Sequence, residues 1–221
     1  SVDLIVTDPP YDLHVGIAGG SCASHMGRTD RFKNENVAGI KEFGSGYDIK
    51  NFGKEFVRIM KDINIYLWCN KMQIPEYFNY YVNELGCKFE VLCWHKGNCM
   101  PTYHNKYLTD TEYCLYFRNG SNQLHPNSYE DAQTFWFAPI NQVDKNKYKH
   151  PTIKPLNMIE KLVRNSSSEG DLVFHPFLGS GTTGVAGKNL NRNFIGTEIS
   201  EEYFKIAKDR LQGWNQKGEM S

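Results

Sequence analysis

Nowhere does the 221-residue chain hold an uninterrupted apolar run of the roughly 18 residues a membrane helix needs. Its first residues also lack the basic and apolar regions of a secretory signal. No membrane partner and no export are therefore expected, and the cytoplasm is the default compartment. The six cysteines, Cys22, Cys69, Cys87, Cys93, Cys99 and Cys114, show no paired spacing, which argues against a disulfide framework and for reduced, mostly buried thiols. Cys93, His95, Cys99 and His104 are four possible zinc ligands in a short span, but their spacing matches no zinc pattern, so no metal is expected. Charge of one sign is missing too: 25 basic and 25 acidic residues give a net charge of zero. A face for a polyanion must then be built by local segregation. Lys145, Lys147, Lys149, His150 and Lys154, opposed only by Asp144, form one such stretch, while Glu201, Glu202 and Asp209 make the C-terminal segment acidic.

What is present is a chain with 40% hydrophobic residues and no low-complexity tract, enough for one globular domain with a substantial core. Apolar runs alternate with amphipathic segments, the pattern of an α/β protein with a mainly parallel sheet. Strands are predicted at Val2 to Thr7, Ile63 to Cys69, Lys88 to Trp94, Glu112 to Phe117, Asp171 to Phe174 and Asn193 to Thr197. Helices are predicted at Asn51 to Lys61, Pro75 to Leu85, Pro155 to Asn165, Thr182 to Leu190 and Glu201 to Trp214. Two stretches break the alternation. Residues from about Asp12 to Tyr47 are rich in Gly, Ser and Asn and read as a long mobile loop. Residues from about Gly97 to Lys149 mix aromatics, Asn, His and Lys around one convincing strand and read as an insert that recognises something external. Because a buried-looking strand begins at Val2, a further segment is expected upstream.

Three constellations carry chemistry. Asp8-Pro9-Pro10-Tyr11 directly follows the first strand. Its two prolines fix the backbone and remove two N–H donors, so the carboxylate, the carbonyls and the ring project rigidly from the strand's carboxyl end. Open α/β sheets put their sites there. A carboxylate and a carbonyl suit the two N–H groups of an exocyclic amine, and an aromatic face suits an extruded base. The second constellation, Phe177-Leu178-Gly179-Ser180-Gly181-Thr182-Thr183, joins the strand Asp171 to Phe174 to a helix through a glycine-rich turn. Such a turn brings backbone N–H groups against a polar ligand. Glu198 closes the next strand about 20 residues on, where an acid suits the hydroxyls of a ribose. No lysine follows the second glycine, so a phosphate-binding loop is disfavoured. The third, His150-Pro151-Thr152-Ile153-Lys154-Pro155, stands before an amphipathic helix, and its Thr152 suits either a helix cap or a ligand carboxylate.

In this order, the constellations resemble the DNA amino-methyltransferases of the permuted beta group, over nearly the whole chain. Trp94-His95-Lys96-Gly97-Asn98-Cys99-Met100-Pro101 and Thr111-Glu112-Tyr113 resemble the segment that follows the base pocket in this family. The resemblance implies an α/β fold: a twisted, mainly parallel seven-stranded, Rossmann-like methyltransferase sheet with helices on both faces and a target-recognition insert. It implies S-adenosylmethionine as cofactor and double-stranded DNA as partner, in a bacterial or phage setting, and leaves a homodimer and a cognate restriction endonuclease open. Asp8, Pro9, Pro10 and Tyr11 would be catalytic, with Asp8 and the Pro9 carbonyl orienting the amine and Tyr11 stacking on the flipped base. Thr152, Lys154, His175, Pro176, Phe177, Gly179, Ser180, Gly181, Thr182 and Glu198 would line the cofactor pocket. The family usually carries aspartate where this chain has His175, and an acidic turn upstream of the point where this chain begins. Serine at the Asp8 position is commoner in cytosine-N4 enzymes, so aspartate favours adenine N6. Cytosine N4, a catalytically impaired DNA-binding relative, and methylation of RNA or of a protein glutamine remain the alternatives.

Overall fold

The computed structural model describes residues 1–9, 47–99, 107–148 and 152–218. Seven strands form one sheet: β1 (Leu4–Thr7), β2 (Asn64–Cys69), β3 (Lys88–His95), β4 (Thr111–Arg118), β5 (Phe135–Phe137), β6 (Leu172–His175) and β7 (Asn193–Gly196). Their order is β5-β3-β4-β2-β1-β6-β7. β1 pairs in parallel with β2 and β6, β6 with β7 and β3 with β5, whereas β4 runs antiparallel to both β2 and β3. Every strand but β4 thus points the same way.

The period of two along the central strands divides their side chains between two cores. Ile5, Ile65, Leu67, Cys69, Leu115 and Phe117 face one side. There they meet Ile49 and Phe56 of α1 (Ile49–Ile59), and Tyr77, Tyr80 and Tyr81 of α2 (Ile74–Phe78) and the π-helical turn Asn79–Glu84 that extends it. Leu4, Val6, Tyr66, Trp68, Cys114, Tyr116 and Val173 face the other side, against Met158, Ile159, Leu162 and Val163 of α5 (Leu156–Ser166) and Ala186 of α6 (Thr182–Asn189). The long α7 (Glu201–Gly218) lies against α6, where Leu211 and Phe194 close on Gly184.

All six expected strands and five expected helices are present, with ends moved by a few residues. α1 starts at Ile49 rather than Asn51, because the Asp48 side chain accepts the Asn51 N–H at 2.7 Å and caps the helix. The helix expected over Pro75 to Leu85 changes to π geometry from Asn79 onward. The seventh strand, β5, comes from the 97–149 stretch, as do the short α3 (Tyr129–Ala132) and α4 (Gln142–Tyr148). The same stretch supplies β4 to the middle of the sheet. The stretch expected to be a mobile loop lies, apart from Tyr47, outside the described residues. No helix among the described residues is long and apolar enough to cross a membrane.

The amino ends of the strands are locked by a buried amide. Asn64 Nδ2 donates to the Asp3 carbonyl at 3.0 Å and the Ser166 carbonyl at 2.8 Å, and its Oδ1 accepts the Tyr116 hydroxyl at 2.9 Å. Tyr66, stacked on Tyr116 at 4.1 Å, reaches Ser166 Oγ at 2.7 Å. One amide therefore joins the segment before β1 to β2, β4 and α5. Asn64→Ala should lower unfolding free energy by about 2–4 kcal/mol, since buried partners are left unmade. A urea melt should show the midpoint falling at unchanged slope, and Tyr66→Phe should cost less, about 1 kcal/mol.

Candidate active site

With six strands codirectional, their carboxyl ends share one edge. At that edge the chain leaves β1 for β2 on one side while β6 and β7 lie on the other, the switch point where open sheets form a crevice. Asp8 follows β1 at this point, half-buried, with Pro9 buried behind it. Lys154, 7% exposed, sends its Nζ to Asp8 Oδ2 at 2.5 Å and to Glu112 Oε2 at 3.1 Å. Glu112 Oε1 in turn pairs with Lys96. The Lys154 ammonium lies 5.0 Å from the centre of the Trp68 ring, and that of Lys96 lies 5.2 Å from Trp94. Four charges of alternating sign thus run along the edge on aromatic supports. Burial opposes the charge of Glu112, yet Lys154 and Lys96 outweigh it and hold the carboxyl below its usual range. Burial likewise opposes the Lys154 charge, and Asp8 and Glu112 together carry that ammonium above the ordinary lysine value. The Cys69 thiol, at the end of β2, is pushed up to about 12 by burial with the Asp8 charge adding to it, so it stays protonated.

On the β6 side the chain turns through left-handed glycines: Gly179 has φ 52° and Gly181 φ 79°. Glu198, just past β7, closes this turn by accepting the Gly179 N–H at 2.7 Å through Oε2 and the Ser200 N–H at 2.9 Å through Oε1. Each oxygen keeps a further lone pair for an outside hydroxyl. His175 ends β6, buried. Its Nδ1 accepts the Phe177 N–H at 3.2 Å and lies 3.3 Å from Thr7 Oγ1. An Nδ1 that accepts places a neutral ring's proton on Nε2. Phe177 packs against Phe52 (5.5 Å) and edge-on to Tyr47 (5.7 Å), and Tyr47 reaches the Tyr77 hydroxyl at 2.9 Å. Arg210 of α7 braces the turn from behind: its Nη1 donates to the Ser180 carbonyl at 3.1 Å and to Thr182 Oγ1 at 3.0 Å, and its guanidinium stacks on Tyr148 at 4.3 Å.

The structure therefore gathers Asp8, Pro9, Lys154, His175, Pro176, Phe177, Gly179, Gly181 and Glu198 along one edge. Lys154, expected in the cofactor pocket, is bonded to Asp8. Ser180 and Thr182, expected to line that pocket, are buried with their hydroxyls toward Arg210. Thr152 is exposed ahead of buried Ile153. Pro10, Tyr11, His150 and Pro151 lie outside the described residues. Trp68, Arg210 and Thr7 were not singled out by the motifs, and Lys96 and Glu112 entered only through the family segments. Nothing local marks them, because each meets its partner from a distant part of the chain.

The match with the N6_N4_Mtase model, described as DNA methylase, runs over residues 2–209. The chain belongs to this family. Among its relatives, the type II methyltransferase M2.DpnII of Streptococcus pneumoniae is 30% identical, over 98% of this chain and 84% of its own length. M.HpaI of Haemophilus parainfluenzae, also a type II methyltransferase, is 32% identical over 96% of this chain and 68% of its own. Among solved structures, the complex of M1.HpyAVI with S-adenosylmethionine superposes with a TM-score of 0.67 at 26% identity, covering 96% of this chain and 89% of that one. The cytosine-N4-specific PvuII DNA methyltransferase superposes at 0.65 over 96% and 79% of the two chains; at 16% identity it speaks to the fold alone. The seven-stranded methyltransferase sheet is thus established for this methylase.

The turn of the methylase gives a direct test. A methyl group added at Gly181 would sit 3.1 Å from Ala207 Cβ and 3.2 Å from its Cα, on a backbone that L side chains rarely adopt. Gly181→Ala should cost about 1–2 kcal/mol and lower Tm by roughly 5 °C. Gly187→Ala, where the nearest atom is 3.8 Å away, should leave Tm unchanged or higher.

Proposed function

We propose that this methylase transfers a methyl group from S-adenosylmethionine to the N6 amine of a flipped adenine in double-stranded DNA. The observation that carries the reading is an aspartate, Asp8, paired with Lys154 at the carboxyl end of β1, on the same edge as the glycine turn closed by Glu198. Family membership supports methylation of DNA. Aspartate rather than serine at the head of the Asp8-Pro9-Pro10-Tyr11 motif supports adenine over cytosine. The order of the motifs along the chain, Asp8 before the glycine turn, supports the permuted beta group. On this reading residues 97–149 read the target sequence. Restriction-modification is the context that the type II relatives suggest, with an endonuclease of matching specificity as companion. A homodimer is compatible with the reading.

The residues present fit the cofactor. Glu198 would take the ribose hydroxyls, being already anchored by two backbone N–H groups that leave lone pairs outward. Phe177 would flank the cofactor's ring system, Gly179 and Gly181 would admit close approach of its polar part, and His175 and Thr152 would face its methionine end. When bound, S-adenosylmethionine supplies an electrophilic methyl group on a sulfonium. The chain's part is positioning: Asp8 and the Pro9 carbonyl would each accept one N–H of the target amine, aiming its lone pair, while Tyr11 would stack on the base. The Lys154 ammonium donates to Asp8 Oδ2, and a carboxylate oxygen can accept more than one hydrogen bond.

The experiment is incubation with labelled cofactor and varied DNA, followed by digestion and mass spectrometry of the methylated base. N6-methyladenine is expected; N4-methylcytosine would overturn the base assignment. Asp8→Ala should cut transfer by more than about 10²-fold with cofactor affinity nearly intact, and Tyr11→Phe should retain activity that Tyr11→Ala loses. His175→Asp keeps an acceptor for the Phe177 N–H and adds a charge. It should tighten S-adenosylmethionine binding by about tenfold to 150-fold in calorimetry, the range of a charge-assisted hydrogen bond. Unchanged affinity would show that position 175 does not face the cofactor's ammonium.

A further inference from the structure

The resemblance assigns Lys154 to the cofactor pocket, but its ammonium is spent on two carboxylates, Asp8 at 2.5 Å and Glu112 at 3.1 Å. It is 7% exposed and seated on the Trp68 ring. We propose that Lys154 is a positioning residue for the catalytic carboxylate: it fixes the orientation of Asp8 and keeps it ionised, and Glu112 is the counterweight that sets how much of the lysine's charge Asp8 feels. This rests on the reading of Asp8 as the acceptor for the target amine.

The physical case is one of charge balance. Asp8 must stay an acceptor, since a protonated carboxyl would turn a donor toward the nitrogen lone pair that has to reach the methyl group. A nearby carboxylate pushes a buried acid toward protonation, and a cation between the two reverses this. Lys154 is that cation. The charged groups around the pair are Glu112 on β4, Lys96 just after β3 and Lys145 on α4, whose ammonium is pulled down by burial first and by Lys96 next, with Lys154 adding a smaller push. The thiols that feel Asp8, Cys69 on β2 and Cys114 on β4, are both raised by burial and stay neutral. His175 on β6 lies against Thr7, the residue before Asp8. Removing Lys154 leaves two half-dry carboxylates facing each other. Removing the Glu112 charge leaves more of the Lys154 charge to Asp8. The two changes must therefore move Asp8 in opposite directions, which a merely structural role would not do.

The test is a carbon-13 NMR titration of the Asp8 carboxyl in the full chain without cofactor or DNA, assigned by its loss in D8N and repeated in K154M and E112Q. K154M should move the midpoint to higher pH by at least about one unit, and E112Q should move it to lower pH. The acid limb of single-turnover transfer should follow in the same directions, with S-adenosylmethionine affinity of K154M within about threefold of the parent. Midpoints that stay put, or that move the same way in both variants, would overturn the proposal. So would a K154M protein that loses cofactor binding by more than about tenfold at an unmoved midpoint, which would return Lys154 to the cofactor pocket. If K154M does not fold, E112Q alone still decides by the sign of its shift. The titration needs no turnover, so a parent protein that methylates no adenine yet titrates as expected would count against the proposed function and not against the ion pair.

Discussion

Strand direction is the constraint on which the rest of this molecule depends. Because β1, β2, β3, β5, β6 and β7 run the same way, residues remote in sequence end their strands on a common edge. Asp8, Lys96 and Glu198 need only follow their own strands to become neighbours of one crevice. β4, the one reversed strand, enters the sheet from that edge, and so Glu112 at its start meets Lys96 just after β3 and Lys154 just before α5. An inverted β4 would carry Glu112 to the far end of the sheet and leave two lysines beside Asp8 with no acid between them.

The two edges of the sheet spend their buried polar groups differently. At the amino edge, Asn64 is neutral and bonds to Asp3, Ser166 and Tyr116, which ties strands and α5 at little electrostatic cost. At the carboxyl edge the buried groups are ions. A buried ion pair costs desolvation that its own attraction often only repays, so Asp8, Lys154 and Glu112 add little to stability over apolar side chains of the same shape. What they add, on the proposed reading, is a carboxylate of fixed charge and orientation, which a catalyst needs before substrate arrives.

Legibility in the sequence divides along the same line. Strands and long helices were readable because their periodicity is local: Ile65, Leu67 and Cys69 against Tyr66 and Trp68 state both faces of β2 outright. β5 was not readable, since Phe135-Trp136-Phe137 is too short to show a period, and α3 and α4 bury no residue that would mark a face. Within the site, Asp8 and Glu198 were legible because prolines and glycines shape the backbone beside them. Lys154 was legible through its motif, but its bond to Asp8 was not, for the two residues are 146 apart in the chain. Arg210 carries no local signal, yet it donates to the Ser180 and Thr182 hydroxyls from 30 and 28 residues away in the chain.

The contact between the two halves of the crevice runs through His175. Asp8 is the residue after Thr7, Thr7 Oγ1 lies against His175 Nδ1, and the same nitrogen accepts the Phe177 N–H at the mouth of the glycine turn. Backbone pairing of Leu4 with Val173 and of Ile5 with Phe174 already fixes β1 against β6; the imidazole extends that fixation past the ends of the strands. A carboxylate at position 175 would serve the Phe177 N–H equally well, but it would stand as a third acid in a crevice that already holds Asp8 and Glu198. The Lys154 ammonium is bonded to Asp8 and shared with Glu112. An imidazole rather than a carboxylate at position 175 therefore adds no further acid beside Asp8 and Glu198, and the Lys154 ammonium has one fewer negative charge to offset.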